Sequence, residues 1–327
     1  MPNLTYYSQK FPPHFKIRAE ETTNVSWAEL VWAAITVGKP ESRNLFLHGI
    51  YSHFEYRMRL YMLKVHLMES ASGEYEQTQV YKGLDPSEKT ALSYFLGLTM
   101  AKLLAHRRLK TPWLQHIDRC QEKLNFVAKK RPDLVGLSRE SEWLVMEAKG
   151  RSGAADEKAL QNAELQTDEL LDINGITDLL RVVSMTYFAG PGSLRVRWQD
   201  PPEFNQEAPS LTIEPLEFLR LYYEPLRSFI NPAEQQITSE SFSGFTFNMV
   251  TLSDFDVRIG LINQPDNFFL ERPNWARNAQ ITRYLNPASG AVDDRTFLGD
   301  DGILIQLGST WDIEAMRQEP LERRPIS

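Results

Sequence analysis

The stretch RPDLVGLSRESEWLVMEAKG, residues 131–150, places two acids and an amine where two short apolar runs meet. Asp133 heads the first run. Glu147 and Lys149 close the second, two positions apart, which on a strand puts both side chains on one face. An unpaired carboxylate in a buried strand costs several kcal/mol unless a cation neutralises it. Two carboxylates brought together from neighbouring strands make a hard oxygen site of the kind that suits Mg2+, or Mn2+ in its place. An amine beside them orients a nucleophile or a phosphate, so the chemistry that fits is metal-assisted hydrolysis of a phosphodiester. The competing reading is a surface hairpin with solvated acids, in which Lys149 simply pairs with Glu147.

The elements that must position these groups are legible nearby. DLVGL and WLVMEAK are rich in Leu and Val and are joined by the polar SRESE, which predicts two adjacent strands of a covered sheet. Pro132-Asp133, thirteen intervening residues and then Glu147-Ala148-Lys149 resembles the PD-(D/E)XK nucleases, the restriction-endonuclease-like superfamily. The resemblance implies an αβββαβ core and Mg2+-dependent cleavage of DNA, less often RNA. It implies Asp133 and Glu147 as metal ligands, joined by the Ala148 backbone carbonyl, with Lys149 as the catalytic lysine. It also implies a further acid from the helix before the hairpin. Glu55 is the candidate, within the polar stripe His48, Ser52, Glu55, Arg59 and His66, and Glu69 is a second choice; a solvated Glu55–Arg59 ion pair is the competing reading. One branch of the superfamily carries a Gln followed four residues later by Tyr in the next helix. Here Gln161 precedes Leu165 and Gln166 precedes Leu170, a departure from that pattern.

Along the rest of the chain, SWAELVWAAITVGKP reads as a capped helix ended by Gly38 and Pro40. NLFLHGIYSHFEYRMRLYMLKVHLMES continues helical, and DPSEKTALSYFLGLTMAKLLAHRRL opens with Asp85, Pro86 and Glu88 as a capping box. Residues 1–130 are therefore expected to be mainly helical and to lead into the core. Residues 131–205 hold the hairpin, a helix over about 156–173 and two strands, LLRVVSMTYF and SLRVRWQDPP. Residues 206–327 form a mixed, β-rich accessory region with the helix IEPLEFLRLYYEPLRSFI and strands at FTFNMVTL, FDVRIGLI and GILIQLG. The expected class is α/β, a restriction-endonuclease-like mixed sheet flanked by helices. A single domain is the alternative to a boundary near 205–240.

Composition limits the partners. The 327 residues are 42% hydrophobic and 24% charged, with net charge −7, which disfavours a non-specific nucleic-acid coat. Charge is nonetheless uneven: residues 101–131 hold nine Lys/Arg against two acids, and residues 154–178 hold seven acids against one base. Arg107, Arg108, Lys110, Lys129, Lys130 and Arg131 are the candidate phosphate contacts, with solvated helix faces as the alternative. A single cysteine, Cys120, leaves no intrachain disulfide and no cysteine-based metal cluster. His106 and His116 lie by the basic run, with phosphate contact and ordinary surface placement both open, and the six histidines show no zinc-hydrolase spacing. No phosphate-binding GxxxxGK[ST] loop occurs. Neither a signal-peptide pattern nor a long apolar run is present, so a cytoplasmic location and no membrane partner are expected. The expected function is a Mg2+-dependent nuclease, DNA favoured, in the anti-phage or foreign-DNA defence that the resemblance to this superfamily implies. Its partners are nucleic acid, a second copy in a homodimer, and a regulatory protein or phage trigger. A ribonuclease or tRNA-cleaving toxin of the same fold, or an inactive binding and assembly module, are the alternatives.

Overall fold

Side chains set the helix starts. Ser26 accepts the Glu29 N–H and begins α1 (Trp27–Thr36), and Asp156 accepts the Ala159 N–H and begins α5 (Glu157–Thr167). Asp85 and Glu88 close a reciprocal capping box at the head of α4 (Pro86–Leu109), with Pro86 at the first helical position. Two further helices, α2 (Ile50–His66) and the short α3 (Gln79–Gly83), precede α4, and α6 (Pro215–Phe229) follows α5. The computed structural model describes residues 1–38, 50–118, 120, 131–201, 205–230, 237–263 and 290–311, with backbone alone at 50–53 and 228.

Among the described residues the strands form two sheets. The first has the order β2-β1-β9-β8-β7-β6-β5. Its members are β1 (Asn3–Gln9), β2 (Glu20–Asn24), β5 (Trp113–His116), β6 (Leu134–Leu137), β7 (Trp143–Gly150), β8 (Leu180–Ala189) and β9 (Ser193–Gln199). A small hairpin, β3 (Leu67–Glu69) and β4 (Tyr75–Gln77), attaches through β4 to β9. β5, β6 and β7 pair antiparallel, while β7 and β8 pair parallel across the α5 crossover. The sheet is therefore mixed, and from α4 the chain runs helix, three strands, helix, strand. The second sheet is wholly antiparallel, ordered β10-β11-β12-β15-β14-β13, from β10 (Ile237–Phe242), β11 (Phe245–Leu252), β12 (Val257–Ile262), β13 (Gly290–Ala291), β14 (Thr296–Leu298) and β15 (Ile303–Leu307).

Helices cover both faces of the first sheet at its centre. α4 packs on β7 and β8, and α5 packs on the same two strands through a separate cluster of Ala159, Leu160, Ala163, Val183 and Met185. The main core is continuous from Leu4 to Trp311 and so spans both sheets. α1 is buried along its length, as an all-round apolar helix must be, and touches α2, α4, β14 and β15. No break in this core marks residue 205.

Several elements differ from expectation. The first 130 residues contain five strands, and β1 joins the sheet parallel to β9, a pairing with no local signal. Glu69 lies on β3, just past the C-terminal end of α2. α5 stops at Thr167, short of 173, because Leu171 N–H and Asn174 N–H turn to the carbonyls of Pro209 and Leu211. Among the described residues, no helix is long and apolar enough to cross a membrane.

Candidate active site

The end of β7 is held by close backbone contact, and glycine permits it. A Cβ on Gly150 would stand 1.7 Å from the Ser93 carbonyl oxygen, and one on Gly97 would stand 2.9 Å from Gly150 N. α4 therefore lies directly against the strand end that carries Glu147 and Lys149. Pairing of Leu134 with Met146 brings Asp133, at the head of β6, opposite Glu147. The two acids clasp each other's backbone: Asp133 N–H donates to Glu147 Oε2 at 2.9 Å, and Ala148 N–H donates to Asp133 Oδ2 at 3.1 Å. Lys149 Nζ bonds Glu147 Oε1 and also reaches Gln166 Oε1 at 2.8 Å.

Register explains the last contact. Glu147 and Lys149 stand beside Val183 and Met185, residues that α5 covers, so the acid and the amine open on the α5 side. The acidic stretch after the hairpin reaches the site, since its helix supplies Gln166.

The electrostatics are those of two neighbouring buried carboxylates beside one lysine. Glu147 has no exposed surface, and burial first, then the Asp133 charge, pushes its pKa up to about 8 against the pull of Lys149. Burial also raises Asp133, opposed by the Ala148 N–H and by Lys149. Such a pair must hold a proton or a cation at neutral pH. The oxygen donors fit a hard divalent ion such as Mg2+, with Asp133, Glu147 and the Ala148 carbonyl as the residues to hold it. Among the described residues, no group of three or more His, Cys, Asp or Glu side chains converges on one metal position, so a third acidic ligand is not shown.

Other predicted residues scatter. Glu55 pairs with Arg59 at 3.3 Å and lines a pocket with Tyr56, Arg59, Gly38 and Tyr222. Arg59 is buried and donates to the carbonyls of Ala34 and Val37, so the stripe on α2 is not a solvated face. Arg107 binds the buried Glu29, with Thr23 and the Asn24 carbonyl; Arg108 binds Glu21; Lys110 binds Glu140 at 2.9 Å. These three sit at the C-terminal end of α4, and ten residues of helix, about 15 Å, separate Arg107 from Gly97 at the site. They fasten α4 to α1, β2 and the β6–β7 turn. His106 is likewise structural, packed on Trp32 and Phe297 and set against Asp300. Lys129, Lys130, His48 and Ser52 lie outside the described residues or side chains. Arg131 does reach the site, where it pairs with Asp118.

Tyr94 and His116 join the site, the first not selected by spacing and the second already singled out beside the basic run. Tyr94, one turn before Gly97 on α4, has its pKa pushed up to about 12 by burial and then by the charges of Asp133, Glu147 and Asp118. His116 ends β5 beside the head of β6 and interacts with Asp118 and Asp133. Only its position along α4 could have signalled Tyr94.

No protein-family model matches the chain, and neither does any curated protein or any solved structure.

Proposed function

We propose that this protein is a Mg2+-dependent nuclease of the restriction-endonuclease-like type, acting on phosphodiester bonds with DNA as the favoured substrate. The observation that carries this reading is the meeting of Asp133 and Glu147 across β6 and β7 with Lys149 on the same face, inside an αβββαβ succession. That succession, α4 through β8, is the one the motif's resemblance implies. A bound Mg2+ would polarise the phosphate and lower the pKa of a water. Asp133 and Glu147 would hold the ion, the Ala148 N–H fixes the Asp133 carboxylate, and Lys149 would neutralise charge on the attacked phosphate. Gln166 keeps the amine from collapsing wholly onto Glu147. A part in defence against phage or foreign DNA belongs to the same proposal.

Calorimetric titration with Mg2+ and Mn2+ separates this from an inert binding module of the same fold. Binding that Asp133→Ala and Glu147→Ala each remove is the expected result. Wild-type protein that takes up neither ion would leave the module as the better reading.

A further inference from the structure

Several arginines of the first sheet and its helices are spent on partners: Arg107 and Arg108 on Glu29 and Glu21, Arg131 on Asp118, and Arg181 on the carbonyls of Leu170, Leu171, Thr177 and Leu179. Arg151 is held far more loosely. Among the described residues its guanidinium makes one hydrogen bond, from Nη1 to the carbonyl of its own neighbour Gly150 at 3.2 Å. Nε is buried without a hydrogen-bond partner, and an Asp156 carboxylate oxygen stands 3.6 Å from it. Asp156 is also the cap of α5, where its other oxygen accepts the Ala159 N–H at 3.0 Å. Arginine carries five N–H donors and stays charged at any working pH, so most of this group's capacity is unspent.

The strand sets that guanidinium beside the acid pair. Arg151 N–H donates to the Thr186 carbonyl at 2.8 Å, which carries the β7–β8 ladder one residue past Gly150. Alternation then puts Glu147, Lys149 and Arg151 on one face. The contact with Asp156 marks the same face independently, because Asp156 heads α5, the helix that covers Val183 and Met185 beside Glu147 and Lys149. Along this face the side chains grow more exposed, from 0% at Glu147 through 23% at Lys149 to 32% at Arg151, so the cluster opens to solvent toward the arginine.

We infer that Arg151 is a substrate contact of this centre, its guanidinium binding the backbone phosphate next to the one attacked at Asp133, Glu147 and Lys149. The inference rests on the nuclease reading and extends it along β7, past the residues of the motif. A nucleic-acid strand repeats its anionic phosphates at a regular interval, and two strand positions, about 7 Å, separate the Lys149 and Arg151 backbones. The planar fork of the guanidinium matches two phosphate oxygens, and Asp156, half exposed, is the carboxylate it exchanges for them.

The test compares wild type, Arg151→Ala, Arg151→Lys and Asp156→Asn in three measurements: binding of a fluorescein-labelled DNA duplex in Ca2+ over a salt series, cleavage of linear duplex DNA with Mg2+, and Mg2+ affinity by calorimetry. Arg151→Ala should weaken duplex binding about 10-fold and reduce the slope of log affinity against log salt by about 1, with Mg2+ affinity and Tm unchanged. Arg151→Lys should restore the slope but only part of the affinity, since the charge returns without the fork. Asp156→Asn keeps an N-cap and should tighten binding, a gain that disappears when residue 151 is alanine. Wild-type affinity and slope in Arg151→Ala would overturn this inference and leave the nuclease reading standing. A lowered Tm in that variant with an unchanged slope would also overturn it, by making Arg151 a strut between β7 and α5. Duplex binding that depends on Arg151 in a wild type that neither takes up Mg2+ nor cuts would overturn the nuclease reading alone, and no duplex binding by the wild type would overturn both.

Discussion

Glu147 stands with no exposed surface against Asp133, and its pKa rises from 4.5 to about 8, through burial first and the neighbouring carboxylate second. Because the folded state keeps a proton that the unfolded chain releases above about 4.5, metal-free stability should fall as pH climbs through that window and level off beyond about 8. Asp133, also raised, acts in the same direction. Glu147→Gln should flatten the fall and raise Tm at pH 8 in EDTA, since it keeps the acceptor for Asp133 N–H and removes the charge. Mg2+ should flatten it too in the wild type, and melts from pH 5 to 9 read all three cases. A wild-type Tm that is level over this range, and equal to that of Glu147→Gln, would mean the carboxylate is not under electrostatic pressure. Asp133, Glu147 and Lys149 were legible because strand-borne charges in apolar runs stand out locally. Tyr94 was not singled out, and His116 and Gln166 stayed open, because their role depends on which strand end or crossover helix arrives beside them.

At the scale of elements, α4 is both the wall of the site and the carrier of the basic run. Charge counting along the chain cannot see that Arg107 and Arg108 meet Glu29 and Glu21, residues 78 and 87 positions away. Glu29 is 1% exposed, so its carboxylate depends on Arg107. Arg107→Glu should therefore destabilise the fold by about 3–5 kcal/mol, the cost of stranding a buried charge, before any effect on nucleic-acid binding arises. Denaturant unfolding checks this; a variant of wild-type stability with weaker DNA binding would restore the run to the substrate surface. The capped helices and the β6–β7 hairpin were readable from local chemistry and period. The N-terminal strands were not: NLTYYSQ pairs with β9, nearly 190 residues on, and EETTN lies at the sheet edge with no apolar alternation to mark it.

Across the whole molecule, the two sheets are joined by a buried polar chain. Lys102 Nζ, fully buried, donates to Tyr222 OH at 2.7 Å and lies over the Trp32 ring, while Tyr222 OH donates to Asp301 Oδ2 at 2.6 Å. Trp32 Nε1 reaches the same carboxylate at 3.1 Å. Burial moves both end groups toward neutrality, lowering Lys102 to about 7 and raising Asp301. Helices α1, α4 and α6 and the β14–β15 turn thus meet at one phenol. Tyr222→Phe should cost about 1–3 kcal/mol, the penalty for leaving buried partners unsatisfied. Because the core is continuous, the loss should appear as one lowered cooperative transition instead of separate melting of the second sheet. A biphasic melt would mark residues 206–327 as an independent unit. Sequence could place these residues only as helix and turn, since a buried Lys–Tyr–Asp chain joins positions from three distant segments.

Cleavage is the most direct measurement of the central claim. Purified wild type and Lys149→Ala are incubated with supercoiled plasmid, linear DNA and total RNA, each in Mg2+ and in EDTA. Wild type should cut nucleic acid in Mg2+ alone, DNA in preference to RNA, and Lys149→Ala should lose at least about 100-fold in rate while melting like the wild type. Intact nucleic acid in every wild-type lane, or Mg2+-dependent cutting undiminished in Lys149→Ala, would contradict the assignment of Asp133, Glu147 and Lys149 as a nuclease centre.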